Sequence, residues 1–267
     1  MVDIRQTIQY GNYLSKIGWE VEKAAEINYF IKKLSLLGSV LKIQRPGEIR
    51  ISKIRELAKK YRAFQIIIEP KSLLDADFLV SLGFRLSKSP YLPTKTLQID
   101  LTQTKEKILK GFEKDAKSAI KKGESLKVAD YKDNLDKFRN AWRRSVRLKR
   151  YVPPLEHLVS LKKSFKNNSL FLMTKDESAG AIFLSSDGIG YYWQAFTNRE
   201  AREKLEQYKV VWGGILWAKK MGARIFDFEG IYDERFPNKS WLGFTHFKKS
   251  FGGYEVTYPG TFVKSFL

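Results

Sequence analysis

The sequence contains no cysteine and very little histidine. The absence of cysteine excludes disulfides, thiolate nucleophiles and thiolate metal sites. Histidine occurs only as His157 and His246, too few for a typical histidine metal site or for a Ser-His-Asp triad. We therefore predict a protein without a bound metal, and we expect no cofactor.

Long apolar segments are missing as well. The longest apolar run without a charge, residues 210–218, has about half the length that a membrane-spanning helix needs. Residues 1–13 lack the apolar region of a signal peptide. Together these two absences predict a cytoplasmic protein.

Acidic residues are outnumbered by basic ones. There are 29 Asp and Glu against 49 Lys and Arg, which leaves a formal net charge of +20. A surface with this excess attracts polyanions such as nucleic acid, nucleotide phosphates or an anionic membrane face, although lysine that merely keeps the protein in solution is an alternative explanation. At 267 residues, of which 43% are hydrophobic, the chain can form one large domain or two small ones.

The hydrophobic pattern alternates between short strands and helices, which is typical of an α/β protein. In the first part of the chain, residues 26–47 predict two strands around a turn, residues 48–61 a helix and residues 63–70 a buried strand. The later elements are predicted as helices over 104–122, 133–150, 154–166 and 200–221, and as strands over 169–174, 179–186, 188–196 and 224–230.

This order of elements predicts two related lobes, 1–103 and 104–267, of the acyl-CoA N-acetyltransferase (GNAT) type, with mixed sheets flanked by helices. GNAT enzymes hold the CoA pyrophosphate on backbone N–H groups of a glycine-rich loop before a long helix. The corresponding segment here, 191–211, contains no glycine, and the first lobe offers Gly47 alone. The pattern therefore indicates a GNAT-like architecture that no longer uses acetyl-CoA.

Arginines recur along the helix predicted over 133–150. Arg139, Arg143, Arg147 and Arg150 are spaced so that they line up along the helix axis, and no acidic residue interrupts the run. Such a stripe fits a surface that follows phosphates, and it fits an ordinary solvated helix face equally well.

The segment GFTHFKKSFGGYEV near the C-terminus combines Phe247, Lys248 and two consecutive glycines, Gly252 and Gly253. A lysine held by aromatic side chains in a dry cleft can supply the positive donor that a tetrahedral oxyanion needs, and Phe247 can stack on a base. The glycines let the chain turn away without crowding. Helical spacing explains Phe247 and Phe251 equally well as core residues, with the lysines in solvent.

Several stretches resemble the FemABX peptidyltransferases, which transfer amino acids from aminoacyl-tRNA onto peptidoglycan precursors. The resemblance spans nearly the whole chain and is most specific where DFEGI is followed by GFTHFKKSFGG. YGNYLSKIGWEV, IIIEP, KRYVPPLEHLVSL and the segment that begins LPTKTLQIDL also carry it. It implies two GNAT-like lobes, here without a coiled-coil insertion, with the precursor bound mainly by the first lobe and the tRNA acceptor end in the cleft between the lobes.

The resemblance also implies roles for individual residues. Phe247 and Lys248 match the family's Phe-Lys pair, near the terminal adenosine and the reacting ester, and Lys16 matches a lysine that holds precursor phosphate. Glu69, which precedes a proline, stands where the family has an acidic residue; it could accept a proton from the attacking ammonium or only orient it. Tyr192 falls near an aromatic residue that lines the precursor site.

We therefore predict an enzyme that transfers an amino acid from aminoacyl-tRNA to the amine of a peptidoglycan stem peptide. Catalysis is assigned to Lys248 and Glu69, and substrate binding to Lys16, Tyr192, Phe247, Arg143, Arg147 and Arg150. The expected partners are aminoacyl-tRNA and a UDP-linked or lipid-linked muropeptide, with peripheral contact at the inner membrane face. Two other classes stay open: an acyl-CoA-dependent N-acyltransferase and a non-catalytic protein that binds RNA. Asp227 and Glu229 alternate on a predicted strand, so that only one of them can face a cleft, and neither is assigned.

Overall fold

A computed structural model describes residues 1–146 and 150–266, apart from the side chain of Leu36. The chain divides into two units. Unit 1 consists of Met1–Lys95, Asp233–Asn238 and Thr257–Leu267, and unit 2 consists of Thr96–Tyr232 and Lys239–Val256.

The helices and strands follow the chain in an alternating order. The helices are α1 (Ile8–Lys16), α2 (Ile51–Lys60), α3 (Leu73–Ser81), α4 (Lys105–Lys110), α5 (Lys114–Lys122), α6 (Leu135–Val146), α7 (Leu155–Phe165), α8 (Arg199–Glu203), α9 (Glu206–Lys220) and α10 (Leu242–Lys249). The strands are β1 (Glu20–Ala24), β2 (Ile27–Lys33), β3 (Ser39–Gln44), β4 (Ala63–Glu69), β5 (Arg85–Leu86), β6 (Lys95–Asp100), β7 (Val128–Asp130), β8 (Ser169–Thr174), β9 (Ala179–Ser186), β10 (Ile189–Thr197), β11 (Ile225–Asp227), β12 (Tyr254–Thr257) and β13 (Phe262–Ser265).

Side-chain caps explain where several helices begin. Thr7, Ser72, Thr104 and Asn198 each accept a hydrogen bond from a backbone N–H group in the first turn of α1, α3, α4 and α8, respectively. Such a cap satisfies a donor that has no partner within the helix.

The sheet of unit 1 has the strand order β1-β2-β3-β4-β13-β5. β3 and β4 pair in parallel, and β13 pairs antiparallel with both β4 and β5. The amphipathic helix α2 contributes Ile54 and Leu57 to the core that covers this sheet. The C-terminal strand β13 therefore belongs to the first sheet, whereas the sequence prediction assigned all of 104–267 to the second lobe.

The sheet of unit 2 has the order β12-β6-β11-β10-β9-β8-β7. β10 pairs in parallel with β11 and antiparallel with β9, and the β9–β10 register shifts between Tyr192 and Gln194. The core of unit 2 includes the predicted stripe of the segment 104–122, namely Ile108, Phe112, Ala116, Ala119 and Ile120. Both sheets are mixed and carry helices, as the fold class predicted.

Two of the predicted helices are each divided in the structure. The segment 104–122 forms α4 and α5, which are separated at Gly111, and Phe112 packs its ring edge-on against Phe251 at 5.2 Å. The segment 200–221 forms α8 and α9, which are separated at Leu205, whose φ is +59°. Hydrophobic spacing alone did not reveal either break, because the apolar stripe continues across each of them.

Candidate functional site in unit 2

A cavity of about 1310 Å³ in unit 2 is lined by residues of α6, β10, α8, α9 and α10, together with residues outside these elements such as Arg150 and Glu229. Its aromatic lining includes Tyr192, Tyr208, Phe244 and Phe247. Exposed arginines also line it: Arg144, Arg150, Arg199 and Arg202. Arg144 pairs with Glu177 and Arg199 pairs with Glu203. The cavity is therefore aromatic and moderately basic, a combination that suits stacked bases and phosphates.

The ammonium group of Lys248 is fixed at the wall of this cavity. Lys248 is buried, and its Nζ donates to the backbone carbonyl oxygens of Phe228 at 2.7 Å and of Gly230 at 2.5 Å. It lies 5.0 Å from the ring centroid of Phe244 and 5.7 Å from that of Tyr192. Since an ammonium has three N–H donors, one remains for an acceptor in the cavity.

The two carbonyl groups that hold Lys248 flank a single residue, Glu229. This residue has a φ of +54°, a left-handed conformation that non-glycine residues seldom adopt and that costs free energy. Its backbone N–H donates to Asp227 Oδ1 at 2.7 Å, which fixes the turn. Because of this turn, the carbonyl oxygens on either side of Glu229 point at the same nitrogen. We call residues 227–230 the lysine clamp.

Buried polar groups of β6 hold the lysine clamp in place. Thr96 donates its hydroxyl hydrogen to Asp227 Oδ1 at 2.6 Å and accepts from the Gly230 N–H at 3.2 Å. Gln98 Nε2 donates to Asp227 Oδ2 at 2.8 Å. Burial, with the nearby charge of Glu229 as a smaller cause, raises the pKa of Asp227, while these hydrogen bonds act in the opposite direction.

Burial also sets the protonation behaviour of Lys248. Desolvation lowers the pKa of its ammonium group to about 8, although the negative charges of Glu229 and Asp227 partly offset that effect. The group is therefore mostly charged at pH 7, which an oxyanion-binding lysine requires. Tyr192 is buried as well, and desolvation raises the pKa of its hydroxyl group, which accepts from Gln207 Nε2 at 2.8 Å.

Phe247 packs against core aromatic residues and also lines the cavity. Its ring packs edge-on against Tyr208 at 4.8 Å and Phe251 at 5.4 Å, and the half-buried side chain also lines the cavity. Phe251, by contrast, is fully buried in the core. Lys249 is exposed and pairs with Glu255 at 2.6 Å, so the two neighbouring lysines have different environments.

The consecutive glycines behave as the sequence predicted. Gly252 and Gly253 have φ values of +67° and +94°. A Cβ atom at Gly252 would lie 2.4 Å from the carbonyl oxygen of Gly111, and one at Gly253 would lie 2.2 Å from that of Gln98. The chain can therefore leave α10 for β12 only because both positions lack a side chain.

The arginines of the stripe predicted over 133–150 lie in different environments. The buried face of α6 is as predicted, with Leu135, Phe138, Trp142 and Val146. Arg150 lies beyond the described part of α6 and is among the residues that line the cavity.

The other predicted arginines are distributed differently. Arg139 is half-buried and donates from Nε to the carbonyl oxygen of Pro153 at 2.7 Å. Arg143 is exposed on α6, away from the cavity lining, and Arg147 lies outside the described residues.

Two predicted site residues lie in unit 1. Lys16 is exposed at the end of α1, and the carbonyl oxygen of Gly18 next to it accepts from Lys32 Nζ at 2.9 Å. Both Lys32 and Lys42 place their ammonium groups 5.6 Å from the ring centroid of Trp19. Several lysines thus share the region that follows α1.

Glu69 is buried at the end of β4 and has hydrogen-bond donors at both carboxylate oxygens. Gln44 Nε2 donates to Oε2 at 2.8 Å, and the Thr261 hydroxyl donates to Oε1 at 3.0 Å. These contacts join three strands of the unit 1 sheet or their ends. They also provide Glu69 with a structural role that does not require catalysis.

Sequence reasoning missed the contribution of Glu229 to the cavity. It placed Asp227 and Glu229 on one strand, but β11 ends at Asp227, and Glu229 lies in the turn that follows. Glu229 lines the cavity, while Asp227 is buried behind the lysine clamp. The local sequence offers no sign of a left-handed residue at this position, because glutamate is uncommon there.

The described residues offer neither a metal-binding cluster nor a membrane-spanning helix. In the ranges 1–146 and 150–266, no group of three or more His, Asp or Glu side chains is arranged to hold a metal ion. No helix in the same part of the chain has the length and apolar character needed to cross a membrane.

The fold defines the chain as a GNAT-like protein with two mixed-sheet units. It is similar to the crystal structure of FemX, with a TM-score of 0.82 and 15% identity over 99% of this chain and 92% of that one. The resemblance to FemABX proteins is thus confirmed at the level of the fold. By sequence alone, neither a family model nor a curated protein matches the chain.

Two further solved structures support the same fold class. One is the C-terminal domain of a protein described as a lysylphosphatidylglycerol synthetase from Agrobacterium fabrum, with a TM-score of 0.66 and 11% identity over 98% of this chain and 89% of that one. The other is a tandem GNAT protein from the clavulanic acid biosynthesis pathway, with a TM-score of 0.56 and 10% identity over 93% and 83% of the two chains.

Proposed function

We propose that the protein is an aminoacyltransferase that moves an amino acid from aminoacyl-tRNA to the amine of a peptidoglycan stem peptide. The observation that carries this proposal is the buried ammonium group of Lys248, held by the carbonyl groups of Phe228 and Gly230 at the wall of a basic, aromatic cavity. The fold likeness to FemX supports it. The acceptor is UDP-linked or lipid-linked. A lipid-linked acceptor would bring this cytoplasmic reaction to the inner membrane face.

The reaction needs a positive donor at the ester carbonyl group. The acceptor nitrogen attacks the carbonyl carbon, a C–N bond forms, and the carbonyl electron pair moves to oxygen. The intermediate then collapses with cleavage of the ester C–O bond, and the ribose oxygen takes up the proton that nitrogen has lost. The remaining N–H of Lys248 stabilises the oxyanion between these steps, and this donor is already oriented before the reaction begins.

We assign the surrounding groups to the two substrates. Phe247 provides a ring edge or face for the terminal adenine, and the exposed Arg150 attracts the phosphates of the tRNA acceptor end. Tyr192 forms the part of the cavity wall next to Lys248. In unit 1, Lys16 contacts the phosphates of the muropeptide, within a region that Lys32 and Lys42 also make basic. Glu69 does not contact the acceptor. It stabilises the end of β4, and this strand end in turn helps to orient the acceptor.

An acyl-CoA-dependent reaction has less support. The N-terminus of α9, where a GNAT enzyme would place a pyrophosphate, carries the buried carboxylate of Glu206, which accepts a hydrogen bond from Ser178 Oγ. A negative charge already occupies the end of the helix that favours anions. Binding of acetyl-CoA to the purified protein would reopen this alternative. A protein that only binds RNA would not need a buried lysine.

Paired substitutions of the two adjacent lysines test the proposal. Lys248→Met should lower the turnover number about 10²–10³-fold with little change in the affinity for aminoacyl-tRNA, as the loss of one oxyanion donor does. Lys249→Met removes the same charge from an exposed position and should change turnover by less than about twofold. Initial rates with a muropeptide acceptor and tRNA-binding curves measure both effects. Equal, small effects of the two substitutions would contradict the role of Lys248.

A further inference from the structure

Glu229 differs from the other charged residues that line the cavity. Among the described lining residues it is the one carboxylate, whereas the arginines and Lys248 supply positive charge. The arginines are exposed, Glu229 is half-buried and Lys248 is buried. Positive charge therefore dominates the cavity lining, and Glu229 supplies the single negative charge among the described lining residues.

The position of Glu229 follows from the lysine clamp. The residue lies between the two carbonyl groups that hold Lys248 Nζ, and its own N–H group is bound by Asp227. A glycine would adopt a φ of +54° without strain, so the fold tolerates glutamate here at a cost. Both Glu229 and Lys248 line the cavity, and the two residues whose carbonyl groups hold the Lys248 ammonium group flank Glu229 directly.

We propose that the Glu229 carboxylate binds the free α-ammonium group of the aminoacyl residue carried by the tRNA. This inference rests on the proposed function and adds a specificity to it: the donor must have an unblocked α-amino group. An aminoacyl-tRNA end is negative at its phosphates and positive at its α-ammonium group, which two carbon atoms separate from the ester carbonyl oxygen. The cavity lining offers arginines for the phosphates and one carboxylate for the ammonium group. A charge-assisted contact at Glu229 would also direct the ester carbonyl oxygen toward Lys248.

The first experiment compares turnover with two forms of each donor. A panel of aminoacyl-tRNAs is used with a free α-amino group and after N-acetylation, with the muropeptide as acceptor. The native enzyme should prefer the free form by about 10–100-fold in kcat/KM, the range expected for a hydrogen bond to a charged group. Glu229→Gln should reduce that preference to about threefold or less. The reduction should come from a lower kcat/KM for the donor with the free α-amino group.

Two further variants separate charge and folding from recognition. Glu156→Gln removes an exposed carboxylate from α7, outside the cavity lining, and it should keep the native preference. Glu229→Gly removes the carboxylate while relieving the backbone strain, so it should fold and should lose the preference like Glu229→Gln.

A binding experiment keeps the inference independent of turnover. The probes are 3′-aminoacylamino-3′-deoxyadenosine, a non-reactive amide, and its N-acetyl form. Stronger binding of the free-amine probe by the native protein but not by Glu229→Gln supports the inference, even if no aminoacyl-tRNA is used and the proposed function fails. If the native protein binds both probes equally, the inference is wrong. It is also wrong if Glu229→Gln slows transfer from free and acetylated donors by the same factor. That result would mean that Glu229 acts on the acceptor amine, for example as a general base, and not on the donor.

Discussion

The environment of Lys248 illustrates how one side chain becomes suited to a reaction. A lysine in water is charged and mobile, and its solvation competes with any substrate contact. Lys248 has exchanged water for the carbonyl oxygens of Phe228 and Gly230 and for two aromatic rings. Its neighbour Lys249 remains in solvent beside Glu255. The difference arises from the direction of each side chain on α10, since successive residues of a helix point about 100° apart.

The lowered pKa of Lys248 predicts a limit to activity at high pH. The folded-state pKa of about 8 lies below the ordinary 10.5, so the charged donor is present below pH 8 and is lost as the pH rises through that value. We expect kcat to fall about tenfold per pH unit well above pH 8. Initial rates between pH 6 and pH 10, corrected for spontaneous ester hydrolysis, measure this.

Two variants serve as references for the pH profile. Lys249→Met should keep the native decline, because Lys249 is an exposed lysine outside the cavity lining. Glu229→Gln should move the decline to lower pH, since the negative charge of Glu229 raises the pKa of Lys248. A native profile that stays flat up to pH 10 would show that protonated Lys248 does not take part in the rate-limiting step.

At the level of elements, the site depends on turns that join helices and strands. The lysine clamp follows β11, and its turn is tied to β6 through Asp227 and Thr96. The other turn leaves α10 at Gly252 and Gly253, where the chain passes close to the carbonyl oxygens of Gly111 and Gln98. The first turn supplies the carbonyl groups that hold the Lys248 ammonium group, and the second sets the path by which the chain leaves α10.

The close approach at Gly253 predicts a large effect of a small substitution. Gly253→Ala would place a methyl group 2.2 Å from the Gln98 carbonyl oxygen, at a φ of +94°. We expect the free energy of unfolding to fall by about 1–3 kcal/mol or more. Denaturant unfolding of the purified protein measures the change.

Gly243 provides the matched control for this substitution. It lies in α10 with a negative φ, and no atom lies within 4 Å of a Cβ added there. Gly243→Ala should be neutral or stabilising by up to about 1 kcal/mol, because alanine favours the helix. Similar losses of stability for both variants would argue against a specific role of the turn at Gly253.

At the level of the whole molecule, a net charge of +20 favours any polyanion, so attraction alone says little about a site. The arginines around the unit 2 cavity are more informative, because they accompany aromatic residues and a buried lysine. Lysines near Trp19 form a second basic region in unit 1. Each of the two proposed substrates, a tRNA and a muropeptide that carries phosphate, is anionic and is matched by one of these basic regions.

Salt dependence distinguishes specific phosphate binding from general attraction. The double variant Arg143→Gln and Arg150→Gln should bind tRNA more weakly, and the slope of log Kd against log salt should decrease by about 0.9 for each phosphate that the variant no longer neutralises. Binding titrations over a several-fold range of salt concentration measure the slope. Lys59→Gln removes one exposed positive charge from α2 in unit 1, and this control should leave the slope of log Kd against log salt nearly unchanged. An unaltered slope in the double variant would identify both arginines as solvated surface charges.

Local sequence determined much of the architecture and the main site segment. Periodicity gave the α/β class, the apolar face of α6 and most of the strands, because burial on one side imposes a repeat of 2 or 3.6 residues. The Phe247–Lys248 pair and the two glycines were recognisable because their chemistry and conformational needs are expressed within a few residues.

Tertiary structure alone decided the remaining features. The position of β13 in the first sheet depends on hydrogen bonds to β4, nearly two hundred residues earlier in the sequence, and local pattern contains no such information. The clamp around Lys248 and the place of Glu229 in the cavity depend on a left-handed backbone angle that Asp227 and Thr96 stabilise. The division of 104–122 into two helices follows likewise from the packing of Phe112 against Phe251. In each case a contact between distant segments outweighs the preference of the local sequence.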